Sequence, residues 1–475
     1  MDEQVKDITP VPERRRRRQR SKIQILKETY LPYIIAGLAV LLIIIFLIGS
    51  LSRSVAKRKA EKEASIQSSQ EAENAAKKLR EEAQQLLEQA EYLASGYDYE
   101  AAIAVLDSFS GDSSGFTEFT AKRAAYQQAL SEMTAYEDIS AIPNLSFHLL
   151  VVDPERAYVN AQYGSSYQKN FVTVSEFEKI LEQLYANGYM LVSPRDLVTT
   201  TTAEDGSTVY TSKTLYLPAG KKPVMLTETN TNYYTYMVDG DGDGLADKNG
   251  AGFASKLMLD ENGNLTNEYI DAQGNVLTGA YDLVPILDAF LAQHPDFSLR
   301  GAKATIAVSG YDGLFGYRTN SASREKLGAS AYQAEADGAK AVAEALRASG
   351  YEIACYSYRN MSYSDCSATE VEADMKRWND EVVPILGQLD TFVFALNSDI
   401  SDSAVYTGSK YETLKNAGFR FFIGASSNGD PWATVTEQYY RQKRLLVTGT
   451  NLISNPQYFT ALFDAAAVLD AGHAK

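Results

Sequence analysis

The hydrophobic pattern of this chain changes character twice. Residues 31–51 form an unbroken apolar run with no charged side chain, long enough to cross a bilayer as a helix. Over 52–95 Ala, Glu, Lys and Gln dominate, and neither Pro nor Gly occurs before Gly96; that composition predicts a long helical stalk. The stretch LLEQAEYLASGYDYEAAIAVLDSF follows the pattern of one tetratricopeptide-like helical hairpin. Gly96-Tyr97 marks its turn, and Ala101, Ala102 and Ala104 permit close packing. A helix near 119–133 would complete the unit, which must pack on its neighbours to bury its faces.

From Leu145 onward short apolar runs alternate with amphipathic stretches. LSFHLLVVD and residues 188–192, 224–227, 302–308, 351–354, 392–396 and 419–423 read as strands. Residues 174–186, 332–349 and 371–386 read as helices. This alternation predicts an α/β fold with a mainly parallel sheet. Within 257–279, Asn262-Gly263 and Gly274-Asn275 sit between alternating apolar residues, the signature of a β-hairpin or small meander.

Composition narrows the setting. The 475 residues are 45% hydrophobic, enough for one sizeable domain plus accessory segments. Net charge is −16, yet residues 1–29 carry nine basic and five acidic side chains. The acidic remainder argues against a nucleic-acid partner. Eight basic residues between positions 14 and 27 precede the apolar run and five follow it closely, which orients the N-terminus to the cytoplasm and the bulk outside. A secretory signal peptide is the rival reading, disfavoured by the length of the run and the lack of a clear A-x-A site. The Arg run at 14–18 is a topology signal or a contact for anionic lipid headgroups. Cys355 and Cys366 would both lie outside, paired or free.

Several segments together resemble a known family. SFHLLVVDP, then FVTVSEFEKILEQLYANGYMLVSPRDL, then KKPVMLT, GYEIACYSYRNMSYS, FVFALNSDI and KNAGFRFFIG occur in the order of a polysaccharide deacetylase (NodB-like carbohydrate esterase) domain over roughly residues 143–455. The resemblance implies a deformed NodB-like (β/α) barrel. With the segments read from composition and charge, the expected layout is a basic cytoplasmic tail (1–29), a transmembrane helix (30–51), a helical stalk with hairpin (52–134) and the deacetylase-like domain (135–475), with an insertion at about 232–280. The family holds a divalent metal with one Asp and two His and uses a second Asp as base; the metal polarises the acetyl carbonyl and activates water. Here the base position is Thr229, the metal Asp position is Asn230, and the two His positions are Tyr356 and Asn360. The scaffold is expected to persist without the chemistry and without zinc. Of three histidines, His148 reads as a core or cleft residue, while His294 and His473 suggest no ligand set.

Two other patterns carry chemistry. Asp239, Asp241, Asp243 and Asp247 fall at positions 1, 3, 5 and 9 of an EF-hand-like loop, a spacing of hard oxygen ligands that suits Ca²⁺. Gly250 stands where such loops place a bidentate Glu, and a solvated acidic loop is the other reading. Tyr233, Tyr234, Tyr236, Tyr356 and Tyr358 gather beside the degenerate positions; they form a glycan-stacking surface or are packing residues. The leading expectation is a membrane-anchored, extracytoplasmic deacetylase-like protein without hydrolysis, binding cell-envelope glycan or an envelope protein. The alternatives are an active deacetylase with a rearranged metal site, in which the Asp239 to Asp247 cluster holds the metal with Asp312, Asp365 or Asp399 nearby, and a structural partner of a membrane complex acting through the stalk.

Overall fold

The computed structural model describes residues 31–111 and 116–473. The basic tail, with its Arg run and Tyr30, lies outside the described residues. The chain divides into two compact units, Met1–Gln84 and Gln85–Lys475. Helix α1 (Leu31–Ser95) carries the apolar run and is the helix among the described residues long and apolar enough to cross a membrane. A signal sequence at this position meets the same criterion. Gly96-Tyr97 turns the chain, with Tyr97 in the left-handed region at φ 62°, into α2 (Tyr99–Asp107) and, later, α3 (Thr117–Ser131).

The second unit is built on a closed barrel of seven parallel strands. They are β1 (Asn144–Phe147), β2 (Lys222–Thr229), β3 (Thr305–Val308), β4 (Glu352–Cys355), β5 (Thr391–Val393), β6 (Phe421–Ala425) and β7 (Tyr440–Leu446). Each pairs with the next in chain order, and β7 returns to β1 to close the ring. Side chains alternate between inside and outside along each strand. Ala307, Ala354, Val393 and Ile423 form part of the inner cluster, small enough to share a narrow lumen. Below them Thr227, Asn144 and Gln442 hydrogen-bond across β2, β1 and β7.

Helices cover the outer wall. On α4 (Val174–Ala186) Phe177, Ile180, Leu181 and Leu184 repeat at helical spacing and are all fully buried, each contributing roughly 1.5–3 kcal/mol. Thr173 and Glu176 form a capping box that starts this helix. The expected helix at 371–386 is instead broken. It runs as α-helix Ala368–Arg377, widens to a π-turn at Trp378–Val382 and resumes at Val383–Leu386. Pro384 has no N–H for the Asp380 carbonyl, so the ladder slips there.

Between β2 and the helix Leu283–Gln293 lie the acidic loop and a three-stranded antiparallel meander, Lys256–Leu259, Leu265–Ile270 and Val276–Gly279. Gly263 and Gly274 occupy its turns at positive φ. The two cysteines are both free, Cys355 buried and Cys366 half-buried.

Candidate functional site

Loops at the C-terminal ends of the barrel strands form one mouth, and their backbone is strained. Asn230 and Tyr233 after β2, Asp312 and Phe315 after β3, Ser357 and Asn360 after β4, and Leu396 and Asn397 after β5 all have φ between 49° and 63°. Each such non-glycine residue costs on the order of 1–3 kcal/mol, and such strain gathers at functional sites. The tertiary structure compensates locally. The fully buried Asn232 amide donates to the Ser309 and Gly313 carbonyls and accepts from Ser309 N–H, tying the β2 and β3 loops together. Asp374 accepts from the Tyr358 and Arg359 N–H groups and from the Tyr363 hydroxyl, which fixes the loop after β4.

Thr229, Asn230, Tyr356 and Asn360 lie on loops or strand ends at this mouth, and none of them is a carboxylate or an imidazole. The Thr229 hydroxyl donates to the Phe147 carbonyl at 3.1 Å and lies 2.9 Å from His148 Nδ1. With its one proton so committed, Thr229 accepts from Nδ1–H, and Nε2 carries the lone pair. Burial, then the neighbouring Arg444 charge, push the His148 pKa down to about 4 against the opposing Thr229 contact. Asn230 Oδ1 accepts from the Tyr234 hydroxyl at 2.9 Å, and Tyr234 also meets Ser309 Oγ at 2.8 Å. Asn360 Oδ1 is buried without a partner.

The fixed charge inside this end of the barrel is a cation. Tyr440, Gln442 and Arg444 alternate onto the inner face of β7. Arg444 is fully buried and donates to the Ile423 carbonyl at 3.1 Å and the Phe394 carbonyl at 2.9 Å, with its guanidinium 6.0 Å from the Tyr356 ring centre. It forms no ion pair among the described residues. A dication placed at Tyr356, about 6 Å away, would be repelled by on the order of 5 kcal/mol at an effective dielectric of 20. Neutral amides and a hydroxyl cannot offset that, so these residues do not fit a divalent metal.

Nearby carboxylates are committed elsewhere. Asp399 pairs with the buried Arg441 at 2.8 Å and accepts from the Tyr406 hydroxyl. Asp312 accepts from Thr235 N–H and pairs with Arg318, and Asp365 is held by Ser362. Glu228, between Thr227 and Thr229, turns to the outside of the barrel. It is buried, its pKa raised well above the usual range by burial and then by Asp282. Glu228 Oε1 and Asp282 Oδ2 have no other partner, and one shared proton satisfies both.

The acidic loop differs. Carboxylate oxygens of Asp239, Asp241 and Asp247 converge within 4.8 Å of one another. Asp243 is not among them and accepts from Leu245 N–H. Gly242 and Gly244 adopt φ of 87° and 94°. A side chain at Gly250 would strike the Val238 carbonyl, so the twelfth position cannot supply a carboxylate.

Burial also revises the aromatic surface. Tyr233, Tyr234, Tyr356 and Tyr358 are buried and offer no ring face to a sugar. Tyr233 receives a hydrogen bond from Asn267, and the Tyr358 ring packs on Gly310. Tyr236 and Tyr311 are 48% and 56% exposed and flank Tyr234. Tyr311 escaped the sequence reading because it stands alone after β3; only the fold brings it to Tyr236.

No protein-family model matches this chain, and no curated protein matches it. Among solved structures it is similar to Streptococcus pyogenes deacetylase PplD in complex with acetate, at 12% identity and a TM-score of 0.34, over 66% of this chain and 93% of that one.

Proposed function

We propose that this protein is a membrane-anchored, extracytoplasmic deacetylase-like domain that binds without hydrolysing, its partner a cell-envelope glycan or an envelope protein. The N-terminus faces the cytoplasm, and α1 is the anchor. The observation that carries the reading is the charge at the barrel mouth. Thr229, Asn230, Tyr356 and Asn360 supply neither carboxylate nor imidazole, while Arg444 places a buried cation beside them. Metal-activated water needs the opposite field. Tyr236 and Tyr311 are the rings a sugar would stack on. Ca²⁺ belongs to the acidic loop, through Asp239, Asp241 and Asp247, as a stabilising ion outside any reaction.

The test uses the full chain in detergent. Chitooligosaccharide and peptidoglycan fragments are incubated with it, with and without added Zn²⁺ or Co²⁺. The expected result is no acetate above the protein-free blank. Metal-dependent acetate release at catalytic turnover would overturn the reading and restore the enzyme.

A further inference from the structure

A cavity lies where β1 and β2 begin, roughly 20 Å along β2 from the mouth. Its volume is about 170 Å³, close to the roughly 150 Å³ that encloses one benzene ring. Tyr136, Tyr189, Tyr458, Pro143, Pro223 and Pro431 supply much of the wall. Three prolines have fixed φ, and Tyr189 is anchored through its hydroxyl to the Ala461 carbonyl at 2.8 Å. The cavity is therefore largely pre-formed.

Its polar groups are mostly spent. Asn144 bonds Gln442 and Thr227, and the Tyr189 hydroxyl is committed. The two remaining charged groups in the lining are Lys222 and Lys443. Lys222 Nζ sits 4.3 Å from the Tyr189 ring centre, and Lys443 Nζ 5.8 Å from the Trp432 ring. Neither forms an ion pair among the described residues, and the lining contains no carboxylate. Asp430, beside Pro431, is bonded by Asn428 instead. In a chain of net charge −16, two lysines without an acid in the lining of one apolar slot mark a place for an external anion.

We infer that this cavity binds a small molecule with one six-membered ring bearing a carboxylate or phosphate, the ring against the Tyr and Pro wall and the anion at Lys222 and Lys443. The experiment is a ligand-detected NMR titration of the detergent-solubilised full chain at physiological salt, with benzoate, phenyl phosphate and neutral benzamide as probes. Saturable binding of one or both anions, at least tenfold tighter than benzamide, is expected, and the tighter of the two identifies the anion class. The double substitution Lys222→Gln with Lys443→Gln should weaken the anions about tenfold and leave benzamide unchanged. Ala461→Trp, which fills the slot, should abolish all three. Benzamide binding as tightly as benzoate, anion binding indifferent to the lysine pair, or no saturation up to about 20 mM would each overturn the inference. Because the lysines are at the rim, the double variant reads out even if Ala461→Trp fails to fold.

Discussion

The barrel mouth opens just after β2 and the acidic loop follows it, yet the two present opposite charge. At the mouth the side chains are amides, hydroxyls and a neutral imidazole, and the charge among them is a guanidinium held by two carbonyls. In the loop three carboxylates converge, and glycines at positive φ let the backbone fold tightly around them. The contrast teaches that the field a site offers is set by its local charge and free lone pairs, whatever the position in the fold. A barrel end with several strained loops is not by itself a metal site.

The largest expected effect comes from trying to make the mouth like the loop. Thr229→Asp, Asn230→Asp, Tyr356→His and Asn360→His together should yield no stoichiometric zinc by elemental analysis while Arg444 stays. Adding Arg444→Met should bring zinc near one equivalent, because a repulsion on the order of 5 kcal/mol is lifted. Zinc in the first variant would break the comparison. Next, Asn232→Ala removes three hydrogen bonds between mouth loops and should cost about 3 kcal/mol in denaturant unfolding; a loss below about 1 kcal/mol would mean the loops are held otherwise.

On the loop side, saturating Ca²⁺ should stabilise the chain by about 2.7 kcal/mol at a hundredfold excess over Kd, and Asp241→Asn should remove that gain in a calcium-dependent melting series. A smaller effect separates the two regions by pH. Folded Glu228 keeps a proton that the unfolded chain releases. Stability is therefore greatest below the unfolded carboxyl pKa and falls as pH rises toward the folded one, by at most about 1.4 kcal/mol per pH unit. Glu228→Gln should flatten that slope above the unfolded carboxyl pKa of about 4.3, and an unchanged slope would remove the shared proton. Smallest of all, Tyr236→Ala should change stability by less than about 0.5 kcal/mol while lowering retention on immobilised peptidoglycan; equal retention would leave the exposed rings without a role.

Legibility in the sequence varied with burial chemistry. The helix at 174–186 was readable to the residue because four apolar side chains and a capping box agree. Strand β7 was missed altogether. Tyr440–Leu446 carries Arg441, Lys443 and Arg444, and a pattern search for apolar residues passes over it. Its arginines are nonetheless buried, one paired with Asp399 and the other bonded to carbonyls inside the barrel. The Thr-rich hairpin Val198–Thr202 with Thr208–Ser212 escaped for the same reason, being largely exposed and polar. His473 looked like an idle tail residue, yet it is fully buried at 2.9 Å from Glu176, a contact between residues 297 positions apart that no local pattern encodes.

By itself the sequence determined what depends on neighbours along the chain. That covers the apolar span, the long helix, the alternation of strands and helices, the turn glycines of the meander, and the residue types at Thr229, Asn230, Tyr356 and Asn360. Tertiary structure alone decided which side chains share a space. It closed the ring through β7, turned Glu228 outward and Arg444 inward, buried four of the five tyrosines and brought Tyr311 to Tyr236. The reason is that strand order and the inside or outside facing of a polar residue are set by contacts between distant segments, where desolvation and pairing outweigh local preference.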